Sequence, residues 1–96
     1  MQQTERKSLF DLGQLVATPG ALAALEKTGQ NAMELLSRHV RGDWGELPKE
    51  DQDENHLSLE KGFRLLSSYR TTAGDKIWVI TEADRSVTTL LLPDEY

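Results

Sequence analysis

The stretch WVITEADRSVTTLLLPDEY, residues 78–96, decides the fold that we predict for this chain. Two runs rich in β-branched and aromatic residues flank the polar segment EADRS, in which Asp84 and Ser86 are turn formers. So short a connection is typical of neighbouring antiparallel strands. Both alternating rows of these runs are largely apolar. We therefore expect either a sheet covered on both faces or an exposed patch that binds a partner.

The rest of the chain extends this pattern in both directions. Strands are predicted at residues 64–71, 76–81 and 87–92, and three helices are predicted ahead of them. The expected helix boundaries are Thr18 and Gly29, Asn31 and Gly42, and Pro48 and Gly62. The predicted fold is an α+β domain with three N-terminal helices followed by a three-stranded antiparallel β-meander.

The N-terminal part of the chain carries weaker signals. Residues 1–8 are polar and are interpreted as a disordered tail, and residues 9–96 as a single α+β domain. The run LFDLGQLVAT, residues 9–18, is interpreted as an ordered arm or a short strand. The start of the chain has no apolar signal core, so we expect no export.

Composition narrows the class of protein. The 96 residues are 38 % hydrophobic and 28 % charged, which is ordinary for a small globular domain. No apolar run approaches the roughly 20 residues that span a bilayer, so we expect no membrane insertion. Cysteine is absent, which excludes disulfides, thiolate zinc sites and cysteine nucleophiles. A cysteine-free small domain fits a reducing compartment, and the predicted location is the cytoplasm.

The net charge of −5 bears on the partners. A nucleic-acid binder usually carries a basic stripe that neutralises phosphates, and the chain shows none, which argues against direct nucleic-acid binding. The segment ELPKEDQDE, residues 46–54, holds five acids and one lysine. It is either a solvated helix face or a surface that attracts a basic partner.

The residues suited to acid–base chemistry are few. His39 and His56 are the two histidines, and Arg85 lies in the predicted EADRS turn. A metal-independent ribonuclease needs such a base, acid and cation, so these three are the candidate catalytic residues if the protein is a ribonuclease. His56 has acids three residues before it and four after it, but the paired-histidine spacing of a zinc peptidase is missing. The prediction is no metal site and no cofactor.

The residues suited to binding are mostly aromatic. Trp44, Tyr69, Trp78 and Arg85 are the candidate binding residues, because tryptophan, tyrosine and arginine are enriched among interface anchors. Core packing is the alternative role for Trp44 and Trp78. The doubly apolar strands predict a protein partner or a homodimer.

Four stretches carry a family resemblance: TPGALAALEKTGQ, RHVRGDWGEL, GFRLLSSYRT and WVITEADRSVTTLLLPDEY. With them, residues 12–96 resemble a family of small uncharacterised bacterial proteins often labelled plasmid-related, carried on plasmids and integrative elements. This resemblance implies a bacterial cytoplasm and a mobile genetic element, and it implies no activity. A second likeness, to barnase–RelE-type ribonucleases, concerns only the order of helices and sheet and transfers no catalytic residue.

Two functions follow as hypotheses. The first is a small acidic accessory protein of a bacterial mobile element that binds another macromolecule without being an enzyme. The expected partner is a protein, which it could inhibit. The alternative is a metal-independent ribonuclease or toxin of the barnase–RelE type.

Overall fold

The computed structural model describes residues 8–96, so the expected disordered tail lies, except for Ser8, outside the described residues. The elements follow one another as β1 (Gln14–Ala17), α1 (Pro19–Thr28), α2 (Ala32–Val40), α3 (Lys49–Lys61), β2 (Leu65–Arg70), β3 (Lys76–Thr81) and β4 (Val87–Leu91). A single turn of 3₁₀ helix, Pro93–Glu95, ends the chain.

The helix boundaries agree with the capping residues of the sequence. The Thr18 hydroxyl accepts from the Ala21 N–H at 3.1 Å, which satisfies one of the free donors of the first turn of α1. Asn31 caps α2 in the same way through the Met33 N–H, at 2.8 Å. Gly62 ends α3 with a φ of 78°, a conformation that favours glycine. The predicted caps Thr18, Asn31 and Gly62 are confirmed, whereas α2 ends at Val40 with Arg41 as its C-cap, one residue before the predicted Gly42.

The predicted fold class is wrong in its topology, because the first regular element is a strand and the sheet has four strands. The strand order is β1-β4-β3-β2, and β1 pairs with β4 in parallel, with Gln14 opposite Val87 and Ala17 opposite Leu90. The other two pairings are antiparallel. A parallel pair requires a long crossover connection, and here the three helices and two strands between β1 and β4 supply it. The helices therefore stand between strands and do not precede all of them.

One face of the sheet, called here the inner face, packs against α1 and α2. Its core contains side chains from both helices and from the three long strands: Ala21, Ala24, Leu25, Leu35, Leu36, Tyr69, Ile77, Val79 and Leu90. The strand residues among them alternate along each strand and match across the register, so they point to the same side.

The opposite face, called here the outer face, is formed by the other row of strand residues. It includes Leu66, Trp78, Ile80, Thr89 and Leu91. The C-terminal residue Tyr96 lies against Trp78, with ring centroids 5.9 Å apart.

Helix α3 lies beside the edge of β2 that faces away from β3, and it does not cover a face of the sheet. The Asn55 side chain donates to the Leu66 carbonyl at 2.7 Å and accepts from the Leu66 N–H at 3.1 Å. A second, smaller core of Trp44, Leu47 and Leu65 fills the space between α3 and the sheet. Within residues 8–96, no helix is long and apolar enough to cross a membrane.

Candidate functional site

A continuous chain of hydrogen-bonded side chains, called here the polar chain, runs through the inner face of the sheet. His39 Nδ1 lies 2.5 Å from Ser67 Oγ, and His39 Nε2 lies 2.9 Å from Thr81 Oγ1. Thr81 Oγ1 is 2.7 Å from Thr88 Oγ1, and the Thr88 hydroxyl donates to the Leu12 carbonyl at 2.7 Å. The polar chain thus ties α2, all three antiparallel strands and the segment before β1 to one another.

The carbonyl at one end sets the direction of every proton in the polar chain. The Thr88 hydroxyl has one proton and donates it to the Leu12 carbonyl. The Thr81 hydroxyl must therefore donate to Thr88 Oγ1. Thr81 can then only accept from His39 Nε2, which must carry the ring proton. Nδ1 of His39 is left as the acceptor for the Ser67 hydroxyl. For a neutral imidazole, the arrangement selects the Nε2–H tautomer.

Burial favours the same protonation state. His39 has no exposed surface, and desolvation of the charged form lowers its pKa from 6.5 to about 4. A neutral, fully hydrogen-bonded histidine without access to solvent cannot exchange protons with a substrate. Its chemistry is that of a cross-link between elements.

Aromatic rings surround His39 and separate it from the second histidine. The Phe10 ring meets the imidazole edge-on, with the ring centroids 5.1 Å apart. The Trp44 ring does the same, with the centroids 5.8 Å apart. Beyond Trp44 lies His56, whose Nε2 accepts from the Trp44 indole N–H at 3.3 Å. His56 is exposed, whereas His39 is enclosed, and the buried Trp44 contacts both rings. They do not face a common cavity.

Arg85 occupies the turn between β3 and β4, at a φ of 62°. Its guanidinium donates to four backbone carbonyls, those of Ser58, Phe63, Glu82 and Ala83, at 2.7 to 3.1 Å. Two of these carbonyls belong to the C-terminal end of α3 and the residues that follow it. Arg85 therefore joins the β3–β4 turn to α3.

Tyr69 and Trp44, two of the candidate binding residues, are buried. The Tyr69 hydroxyl donates to the Asp43 carbonyl at 2.6 Å, and burial raises the pKa of this phenol. The Arg38 guanidinium lies over the Tyr69 ring and donates to the Asp43 carboxylate, which lowers the pKa of Asp43. Tyr69 and Trp44 thus help to hold the loop before α3 and present almost no surface to a partner.

Trp78, by contrast, is only half-buried and lies on the outer face. Its neighbour Tyr96 is 71 % exposed, and the Tyr96 hydroxyl accepts from Arg64 Nη1 at 2.6 Å. The other arm of the Arg64 guanidinium reaches Glu82 at 3.4 Å. Trp78, Tyr96 and Arg64 form an aromatic and cationic cluster on the outer face.

A groove of about 600 Å³ opens between α3 and the outer-face side of β2. Its α3 wall carries three carboxylates, Glu50, Asp51 and Glu54, and its floor includes Leu66. Arg64 lies on the opposite wall. We refer to this feature as the acidic groove.

The structure therefore disperses the candidate residues of the sequence. It brings Trp44 close to both histidines, and it places Trp78 and Arg85 elsewhere. The residues that sequence reasoning missed are Ser67 and Thr81 of the polar chain, Asn55 at the sheet edge, and Tyr96. One signal points to Ser67, Thr81 and Thr88, since each stands in an alternating row of otherwise apolar strand residues. Across the part of the chain that the structure describes, no group of three or more metal-binding side chains is present.

Comparison of this chain with models of protein families, with curated proteins and with solved structures finds no match.

Proposed function

We propose that this protein acts by binding another protein through the outer face of its sheet, and that the partner presents a basic segment with apolar side chains. The observation that carries this proposal is the half-buried Trp78 beside the exposed Tyr96, on the face of the sheet opposite α1 and α2, where Ile80 and Leu91 are buried. Large aromatic side chains in partly exposed positions are typical anchors of protein interfaces. The function proposed is binding without catalysis.

The charge of the surroundings supports a basic partner. The acidic groove borders the outer face, with three carboxylates along one wall. Its one cation, Arg64, is already engaged with Glu82 and Tyr96. The whole protein carries a net charge of −5, so its long-range field attracts cations and repels nucleic acid.

The ribonuclease alternative receives no support from the positions of its candidate residues. His39 is enclosed and neutral, and the guanidinium of Arg85 is committed to backbone carbonyls. His56 is exposed, but neither of the other two candidates is shown in contact with it. An acid, a base and a phosphate-binding cation must converge on one substrate, and this arrangement does not supply them.

The resemblance to plasmid-related bacterial proteins supplies the cellular context of the proposal. In that context the protein is an accessory factor of a mobile element in the bacterial cytoplasm. Occupation of a nucleic-acid-binding surface on a host protein is one way in which an acidic binder would inhibit its partner.

The experiment selects ligands for the outer face from a display library of random 12-residue peptides. Wild-type protein is the target, and two variants serve for counter-selection. Thr89→Arg places a cation on the outer face, and Ala23→Arg places the same charge on the exposed side of α1. Circular dichroism establishes that both variants are folded.

We expect basic, aromatic-containing peptides that bind wild type and Ala23→Arg but lose at least tenfold in affinity on Thr89→Arg. Acidic peptides, or peptides equally sensitive to both variants, would contradict the proposal. Cleavage of labelled RNA by the purified protein in the presence of a chelator, abolished in His56→Ala, would favour the ribonuclease instead.

A further inference from the structure

The two edge strands of the sheet, β2 and β1, differ in whether their outward-facing backbone groups are hydrogen-bonded. At the β2 edge, Asn55 satisfies both backbone groups of Leu66. The loop before α3 satisfies both groups of Ser68, through the Trp44 carbonyl at 3.1 Å and the Glu46 N–H at 2.7 Å. Gly45 makes this approach possible, because a Cβ there would lie 2.1 Å from the Ser68 carbonyl oxygen. The β2 edge is therefore closed to another strand.

The β1 edge is open. The N–H groups of Gln14 and Thr18 bond to carbonyls of Ser86 and Leu90, on the β4 side. Because backbone groups alternate in direction along a strand, those of Leu15 and Ala17 point away from β4. Among residues 8–96, no strand lies beyond β1. The side chains of Leu15 and Val16 are 44 % and 43 % exposed.

An exposed apolar edge strand is a template for pairing, and natural proteins normally protect it with a charge, a proline or a bulge. The chain protects β2 with an asparagine and a loop, and it places none of these devices within β1. We propose that the β1 edge binds a second copy of this chain, antiparallel, to form a continuous eight-stranded sheet.

The distribution of charge identifies the occupant as a second copy. Residues 12–25, which include β1, contain no charged side chain of their own, although the protein as a whole carries −5, and the Glu95 carboxylate that reaches this segment is hydrogen-bonded to Thr18 and Gly20. A basic partner would gain nothing from this neutral strip, whereas two acidic molecules can approach each other there with the least repulsion. The neutral apolar strand that the edge requires is present in the chain itself, as β1.

The register of the pairing follows from the two ends of the strand. Gly13, with a φ of 67°, ends the extended backbone on one side, and Pro19 lacks an N–H on the other. A pairing centred on Val16 uses the free groups between these limits. Leu15 of each copy then exchanges two hydrogen bonds with Ala17 of the other, four in all, and the two Val16 side chains face each other across the two-fold axis.

This inference does not depend on the proposed binding of a basic partner, since it concerns an edge and not the outer face. It adds a consequence to that proposal. Two copies joined at β1 would present two outer faces on one continuous surface, so a partner with two basic segments would be bound with higher avidity.

The test introduces charges at Val16, which lies opposite Val16 of the second copy across the two-fold axis. Sedimentation equilibrium of wild type should show a monomer–dimer equilibrium, weak because the interface is small, with half-dissociation at about micromolar concentration or above. Val16→Lys and Val16→Glu should each be monomeric, because they bring like charges together. An equimolar mixture of the two should restore the dimer. Thr72→Lys, exposed on the β2–β3 turn, should dimerise as wild type does.

A second measurement tests the register. The chain contains no cysteine, so Val16→Cys introduces a single thiol. In the proposed pair the two thiols are directly opposite, at a non-hydrogen-bonded position where Cα atoms are about 4.5 Å apart, so mild oxidation should yield a covalent dimer. Ala23→Cys on α1 should not. A wild-type monomer at about 1 mM, or a dimer that persists in Val16→Lys, would overturn the proposal.

Discussion

Acidification should destabilise this protein through one buried imidazole, His39. In the folded state its pKa is lowered from 6.5 to about 4 by burial. Between these two pH values the unfolded chain binds a proton that the folded protein does not. The free energy of unfolding therefore rises with pH in this window. The contribution of neutral His39 is present above pH 6.5 and is lost as the pH falls towards 4.

The magnitude follows from the pKa difference. A lowering from 6.5 to about 4, at about 1.4 kcal/mol per pH unit, amounts to about 3 kcal/mol. Small domains are stable by roughly 5 to 15 kcal/mol in total, so this one group accounts for a large share of the margin. Desolvation of the charged ring is the physical cause of the loss, because His39 has no exposed surface and burial disfavours the protonated imidazole.

The assay compares urea unfolding of wild type with that of His39→Gln between pH 7 and pH 4. Glutamine keeps one donor and one acceptor for Thr81 and Ser67 but does not titrate. Because the carboxylates are common to both proteins, their titration cancels in the difference between the two free energies of unfolding. We expect the advantage of wild type over the variant to shrink by about 3 kcal/mol from pH 7 to pH 4.

Nuclear magnetic resonance gives an independent reading of the same group. The chain has two histidines, so His56→Gln leaves the His39 ring as the only imidazole signal. Its nitrogen shifts should report the Nε2–H tautomer and a pKa near 4. A difference in unfolding free energy that is constant with pH, or an imidazole that titrates near 6.5, would refute the argument. The Nδ1–H tautomer would refute the direction assigned to the polar chain.

Three further outcomes are expected of the contacts that join distant elements. Asn55→Ala should lower the free energy of unfolding, measured by urea denaturation, by about 2 to 3 kcal/mol, because both backbone groups of Leu66 lose their partner. The control Glu54→Ala, at an exposed position of the same helix, should change this free energy by less than about 0.5 kcal/mol. Arg85→Gly should be less destabilising than Arg85→Ala by about 1 kcal/mol, since both lose the guanidinium contacts but only alanine keeps the strain of a positive φ; equal losses would contradict this. Glu95→Gln should lower the melting temperature at pH 7, because the carboxylate accepts from the Thr18 hydroxyl and two N–H groups. That hydrogen bonding lowers the pKa of Glu95, so the difference should vanish as the pH falls through the lowered value.

Local signals were sufficient for the helices. Thr18, Asn31 and Gly62 act at helix ends through contacts within a few residues, so their roles are encoded where they stand. The long strands were equally visible, because β-branched and aromatic residues concentrate there. The sequence does not assign β1 to the sheet, since four residues carry little pattern and the partner strand β4 lies more than 70 positions away.

The candidate site was predicted only in its residue types. The sequence singled out His39 and Arg85, but a histidine that accepts from Ser67 and donates to Thr81 is defined by three elements at once. Likewise, the sequence does not distinguish the roles of Trp44 and Trp78. Only the packing of the folded chain buries Trp44 and leaves Trp78 partly exposed.

The sequence by itself determined the acidic charge, the absence of thiol chemistry, the helix ends and the strands of the hairpin that closes the chain. Each of these depends on composition or on neighbours close in the chain. The tertiary structure alone decided that β1 joins β4 in parallel, that one sheet edge is closed by Asn55 and the other left open, and that His39 is neutral. These properties arise from pairings between residues far apart in sequence, which have no local pattern because the free energy that selects them is that of the whole packed domain.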